Sequence, residues 1–378
     1  MKFTKIALAA AFTLAALGSA HADLTIGVVQ PLTGPASGLG IPVKNGIMIW
    51  PKTIAGETVK LVVLDDATDP TTGVKDAQRL VTEDKVDVVV GSSATPVAIP
   101  MADVTAESGT PQLATSPAGL PPGKDKWFFR LPQSNDVMAF AMVKHMKAQG
   151  VKTVGFLGYT DAYGELWLKA LTAEGEKNGI KIVGTERFAR ADTSVTGQVL
   201  KLTSANPDAI LIVASGSGAG MPQKAVMERG YKGKVYQTHA AATQDLMRTA
   251  GKDAEGTFVV SGPATVAEQL PDSHPSKKMA VAFVTNYEKA YGVGSRNQFA
   301  GHSADVLTVL EKAVPIALKK AKPGTPEFRS ALRDAFETMG RTVIAHGVLE
   351  WTPQNHWGYT NETGVMLKVV NGAFKVEQ

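Results

Sequence analysis

Short apolar runs rich in β-branched residues alternate with longer amphipathic stretches over most of the chain. Runs at 24–29, 59–65, 86–90, 112–114, 153–157, 180–188, 209–213, 235–238 and 257–261 read as strands. Between them, 72–83, 96–108, 136–149, 163–178, 195–204, 219–229 and 245–250 carry helical spacing. Strands that stay apolar without alternation, separated by helices, imply parallel sheets covered on both faces. Nine or more strands crowd a single sheet, and the pattern pauses at 120–133, where Pro121, Pro122, Gly123 and Pro132 gather, before starting afresh. The economical arrangement is α/β, with two Rossmann-like lobes, each built around a parallel-type central sheet.

After Ser261 the rhythm changes. Helical segments at 277–291, 300–321 and 326–339 precede short strands at 343–345, 365–370 and 374–376. These do not make a third βαβ unit, so they are expected to return and complete the two sheets through several hinge crossovers. The expected division is 23–140 with 264–350 in the first lobe, and 141–263 with 351–378 in the second. No internal repeat interrupts this plan.

The first 22 residues stand apart. Lys2 and Lys5 precede an apolar run from Ile6 to Leu17, and small residues end in Ala20-His21-Ala22. This is the layout of a cleaved secretory signal, and the run is shorter than the roughly 20 residues a membrane span needs. Removal after Ala22 leaves 356 of the 378 residues and lowers the formal charge from +4 to +2. The remaining Lys and Arg are scattered in runs no longer than two, without interleaved aromatics, which argues against a nucleic-acid partner. The chain has no Cys. That excludes disulfides, thiolate metal sites, a Cys nucleophile and an N-terminal lipid-modified Cys. The mature protein is expected to be exported, soluble and nearly neutral.

Catalytic signatures are missing. There is no G-x-S-x-G elbow, no S-x-x-K pair and no H-E-x-x-H, and the histidines show no i, i+4 pairing. No metal and no cofactor are expected. Gly216-Ser217-Gly218-Ala219-Gly220 looks like a phosphate-cradling turn but lacks the Walker lysine, so it reads as a strand–helix loop. Asp65, Asp66 and Asp69 read as turn and capping chemistry before the next helix.

Four stretches together carry a family likeness: IGVVQPLTGPASGL at 26–39, LDDATDP at 64–70, VVVGSSATP at 88–96 and GYTDAYGELW at 158–167. In this order and spacing the chain resembles the leucine/isoleucine/valine-type periplasmic substrate-binding proteins of ABC transporters, the type I periplasmic binding fold. The resemblance implies a non-enzymatic, monomeric receptor whose lobes close on a small carboxylate and deliver it to an inner-membrane ABC permease. It places a carboxylate-binding turn at Ser93, Ala94 and Thr95, a helix start with free backbone N–H groups. A second such loop falls at Thr115, Ser116 and Ala118, where Pro117 has no N–H to give. From the other lobe it brings Tyr163 over the ligand, and it places Phe299 as a pocket wall and Leu39 near the cleft mouth in the loop Gly34–Gly40.

Two departures from the family pattern bear on the ligand. Where amino-acid binders carry an acid for the ligand ammonium, this chain has His239 followed by Ala240-Ala241-Ala242. Ser217 and Gly218 stand where a stacking Tyr is common, which predicts a roomier pocket there. An ammonium buried without an anion is costly. The expected ligand is therefore an aromatic, 2-oxo or other organic acid, with His239 donating to a polar substituent. A ligand-sensing module of the same fold, branched-chain or other amino-acid binding, and an exported hydrolase lacking the usual motifs remain the alternatives.

Overall fold

A computed structural model describes residues 23–377. Residues 1–22, where a secretory signal is expected, lie outside the described residues. The chain begins with β1 (Leu24–Gln30), α1 (Ser37–Met48), β2 (Thr53–Ile54), β3 (Glu57–Asp65), α2 (Pro70–Thr82), β4 (Val88–Gly91), α3 (Thr95–Glu107), β5 (Gln112–Ala114) and β6 (Phe128–Arg130). Their sheet runs β2-β3-β1-β4-β5-β6, parallel except for the short antiparallel β2. Val28 faces Val63 on one side and Val90 on the other, so the centre of the sheet is aliphatic.

The second lobe follows with α4 (Asn135–Ala148), β7 (Thr153–Tyr159), α5 (Ala162–Asn178), β8 (Lys181–Phe188), α6 (Thr196–Ser204), β9 (Ala209–Val213), α7 (Ser217–Glu228), β10 (Lys234–Gln237), α8 (Gln244–Ala250) and β11 (Phe258–Ser261). The chain then returns to the first lobe as α9 (Lys277–Tyr291), α10 (Gln298–Ala317), α11 (Pro326–Thr338), β12 (Thr342–Ile344) and β13 (Gly347–Leu349). It ends in β14 (Val365–Val370) and β15 (Ala373–Val376), which close the second sheet in the order β15-β14-β11-β10-β9-β7-β8. Its antiparallel pairings are the two that β14 makes, with β11 and with β15. The two-lobed α/β class expected from the apolar pattern is the one the chain adopts. Among the described residues no helix is long and apolar enough to cross a membrane.

Local chemistry fixes the helix starts. Asp69 accepts from Thr72 N at 2.7 Å ahead of Pro70, Ser134 accepts from Val137 N at 3.1 Å, and Asn297 accepts from Ala300 N at 2.8 Å. The expected capping role of Asp69 is thus met. Asp161 does the same for α5, accepting from Tyr163 N at 2.9 Å.

The structure differs from the sequence reading in four places. The segment 37–48, read in part as the loop Gly34–Gly40, is the helix α1 despite Gly38, Gly40 and Pro42. Its small residues are what packing requires: a Cβ on Gly46 would stand 1.8 Å from Ser303 Oγ, so α1 lies flush on α10. Residues 128–130, inside the expected pause, pair with β5. The strand expected at 343–345 does not complete a sheet; β12 pairs only with β13 in a separate hairpin. Finally, 351–360, assigned to the second lobe, packs on the first: Trp351 and His356 cover Phe129, and Tyr359 donates to Leu131 O at 2.5 Å.

The chain therefore passes between the sheets three times, at 131–134, around Gly262 and through 350–364. The C-terminal ends of the parallel strands of both sheets meet at one crevice, the place where such sheets carry ligands.

Candidate functional site

From the first sheet, β1, β4 and β5 end side by side and present Gln30, Ser93 and Thr115. Gln30 Nε2 donates to Thr115 Oγ1 at 3.0 Å, and Ser93 Oγ donates to Gln30 Oε1 at 2.6 Å. Ser93 and Thr115 hydroxyls lie 2.9 Å apart. Ser93 has one proton and gives it to Gln30, so Thr115 must donate to Ser93. The ring of three is closed, and neither hydroxyl has a proton left for a ligand. Thr95 is different. It is the first residue of α3, its N–H has no acceptor within the helix, Pro96 has none to give, and Val97 and Ala98 both donate to Ala94 O.

Gly91 makes the approach possible, since φ is +128° and a Cβ there would stand 1.8 Å from Val29 O. Behind the turn, Ser92 Oγ donates to the buried Asp66 at 2.6 Å and accepts from Ala94 N at 3.1 Å. Burial pushes the Asp66 carboxyl up to about 6 against the hydrogen bonds from Ser92 and Thr68. An unfolded Asp titrates near 3.9. The folded protein keeps this proton longer than the unfolded chain, so the group's contribution falls as pH rises from about 4 to 6, by about 3 kcal/mol. Asp66→Asn removes that slope. Its stability relative to wild type should climb by about 3 kcal/mol between about pH 4 and pH 7 in paired denaturant titrations; a difference independent of pH would contradict the assignment.

The second lobe supplies the cation. Arg190, just past β8, donates Nε to Asp161 Oδ2 at 2.5 Å and Nη1 to Ser215 Oγ at 3.0 Å, with its guanidinium 4.1 Å from the Tyr159 ring centroid. Nη2 makes no hydrogen bond among the described residues. Tyr163 is placed by the Asp161 cap and by Gly164, where a Cβ would stand 1.9 Å from Tyr159 O. Its hydroxyl meets Thr238 Oγ1 at 2.7 Å, and burial raises its pKa.

His239 follows β10 and is fully buried beside Tyr163 and Trp167, ring centroids 6.0 and 5.8 Å away. Burial above all, then the neighbouring His302 and His346, push it down to about 3, so it is neutral. Neither Nδ1 nor Nε2 has a hydrogen-bond partner. A neutral imidazole offers one donor and one acceptor, and both stand unused in a buried wall, which buried polar atoms rarely do.

These groups surround a cavity lined by Leu39, Ser93, Thr95, Pro117, Tyr163, Arg190, Ser215, His239, Ala240 and Phe299. Six of the eleven residues expected from the sequence meet there: Leu39, Ser93, Thr95, Tyr163, His239 and Phe299. Ala94, Thr115, Ser116 and Ala118 lie behind the wall, although Ser116 Oγ is another buried atom without a partner. Ser217 opens instead on the cleft mouth, between Gly34, Ser37 and Asp245.

The expected extra room beside Gly218 is taken: a Cβ there would meet Tyr159 Oη at 2.2 Å, and Arg190 stacks on that Tyr. Arg190 and Ser215 belong to no sequence motif. Their signal is positional, since each lies two residues beyond the C-terminal end of a parallel strand.

No lining hydroxyl is hydrogen-bonded to His239. Among the described residues the single charged lining side chain is a cation, and no carboxylate lines the cavity.

Comparison with known proteins agrees with this architecture. Residues 23–364 match the family model described as periplasmic binding protein. The chain is 31% identical over 335 residues to Leu/Ile/Val-binding protein homolog 3 of Brucella melitensis, covering 84% of this chain and 88% of that protein. A solved extracellular ligand-binding receptor from Rhodopseudomonas palustris superposes with a TM-score of 0.92 at 47% identity, over 94% of this chain and 99% of the other. An ABC-transporter solute-binding protein from R. palustris, solved in complex with benzoate, shares the fold at 18% identity with a TM-score of 0.79, over 94% and 95% of the two chains.

Proposed function

Since the chain belongs to the periplasmic binding protein family, we propose that it is the solute receptor of an ABC importer and captures a small carboxylate that carries no α-ammonium. It acts as a monomer in the periplasm, reached by way of the secretory segment, and hands its ligand to an inner-membrane permease without chemical change. The observation that carries the ligand class is the charge of the cavity: Arg190 is there, and no Asp or Glu lines it.

A carboxylate can take the Thr95 N–H and hydroxyl from one lobe and the free Arg190 Nη2 from the other. An ion that spans both lobes binds their apposed arrangement better than any separated one, and so favours closure by hinge motion. The neutral His239 then offers a hydrogen bond to a polar substituent, and Leu39, Tyr163 and Phe299 give apolar walls. An aromatic acid or a 2-oxo acid meets these terms.

The name of the Brucella relative favours a second reading, a branched-chain amino acid. Against it, the ammonium would be buried beside a neutral imidazole and a guanidinium. A thermal-shift screen separates the two, because a ligand that binds only the native state raises apparent stability. 4-Methyl-2-oxopentanoate, benzoate or another deaminated acid should raise the melting temperature, and leucine, isoleucine and valine should not. Stabilisation by leucine alone would overturn the ligand class, and stabilisation by no solute would overturn the receptor reading itself.

A further inference from the structure

Outside the cavity the described residues hold one other cluster of fully buried titratable groups: His302 and Asp305 on α10, and His346 in the turn between β12 and β13. We propose that the Asp305–His346 pair, with His302 beside it, is a hinge pin that ties together the crossovers between the lobes and so sets ligand affinity without touching the ligand. The proposal rests on the reading of the two lobes as a closing receptor.

His346 Nδ1 donates to Asp305 Oδ2 at 2.5 Å, His302 Nδ1 lies 3.4 Å from the same oxygen, and Asp305 Oδ1 accepts from Ala345 N at 2.8 Å. Burial alone would raise the Asp305 pKa; the two imidazoles overturn that and hold it below the ordinary value. A spacing of 2.5 Å is a charge-assisted hydrogen bond.

Every crossover reaches this pair. In the first, Gln133 Nε2 donates to His346 O at 2.8 Å. In the second, Gly262 presses on the imidazole: a Cβ there would stand 2.3 Å from His346 Cδ2. On the other side of the ring, a Cβ on Gly301 would stand 2.3 Å from Cε1. Gly262 N also donates to Gln298 Oε1 at 2.8 Å, in the first turn of α10. The third crossover starts at the hairpin that carries His346, and its Tyr359 reaches back to Leu131 O in the first.

The pin also adjoins the cavity. Phe299, a cavity wall, is the neighbour of Gln298, and Gln298 N donates at 3.3 Å to Ala242 O in the segment that follows His239. A shift of the imidazole or of α10 would therefore move both the crossovers and one wall of the site.

The chain has no Cys, so Met48→Cys on the first lobe and Lys252→Cys on the second, both at exposed positions, accept a single pair of spin labels. Pulsed EPR of the ligand-free protein then reads the interlobe distance. Asp305→Asn keeps the shape but gives one oxygen where two accept, so the distance distribution should broaden towards longer values. Calorimetric affinity for benzoate, or for whichever acid of the screen stabilises the wild type, should fall about tenfold. Gln133→Leu cuts a single tie from the first crossover and leaves the Asp305–His346 pair intact. It should shift the distribution in the same direction by less, and it decides the matter if Asp305→Asn does not fold. A merely structural cluster would lower the melting temperature while leaving distances and affinity unchanged, and that result overturns the pin. Failure of the wild type to bind any acid would instead strike the receptor reading, and the distance measurement would still stand.

Discussion

Replacing Arg190 by glutamine is expected to weaken capture of a carboxylate by about a hundredfold or more. Removing one partner of a buried, hydrogen-bonded charge pair costs roughly 2–5 kcal/mol, and each 1.4 kcal/mol is about tenfold in affinity. Among the described residues Arg190 is the only charged side chain on the cavity wall, so no neighbouring cation there compensates. The loss has a second part. Asp161, which Arg190 engages at 2.5 Å, would keep its charge without that partner and repel an incoming anion.

Stability should change far less, because Asp161 is partly solvated and still caps α5. Arg190→Lys should fall between, near a tenfold loss, since one ammonium cannot reproduce the planar fork that serves Asp161, Ser215 and a ligand together. Calorimetry with the acid that stabilises the wild type measures all three proteins. An Arg190→Gln affinity within about threefold of wild type would remove the charge argument for the ligand class.

That residue also shows what sequence reasoning could and could not reach. Strands such as β1, β4 and β9 announce themselves, because a strand buried on both faces has to be apolar throughout. The turns after β4 and β5 were legible through their hydroxyls and the order of the quoted stretches. What the spacing did not reveal was the competition among those hydroxyls. Thr115 and Ser93 look like equal donors in the sequence, and only the closed ring with Gln30 shows both protons to be committed.

Arg190 was invisible for the opposite reason. Its role depends on the way β8 ends beside β7, a contact between residues about thirty apart, and Ala189-Arg190-Ala191 carries no local pattern. Helix α1 was missed because Gly38, Gly40, Gly46 and Pro42 argue locally against a helix, while packing on α10 demands small side chains on that face. The buried His302–Asp305–His346 cluster joins residues about forty apart in the chain, so no spacing rule for histidines could find it. In each case the missing information was a long-range contact that outweighed a local preference.

The other large effect concerns the third crossover. Phe129 on β6 is fully buried, stacked on His356 with ring centroids 4.0 Å apart, and 5.1 Å from both Trp351 and Phe336. Two of those three partners belong to 351–360, the segment that leaves the first lobe for β14. Phe129→Ala deletes the surface on which that segment rests. Truncating a buried Phe to Ala costs about 3–5 kcal/mol, the spread reflecting how far the surroundings collapse into the gap. Collapse is hindered here on two sides. His356 Nδ1 donates to Asp125 O at 2.7 Å, with Nε2 3.1 Å from Glu337 Oε1, and Phe336 sits on α11. For a chain of this length the loss corresponds to a fall in melting temperature of roughly 5 °C. Scanning calorimetry of the variant and wild type measures it directly. A fall below about 1 °C would mean that 351–360 closes over the gap, and that the rings around Phe129 are filling rather than anchorage for the crossover.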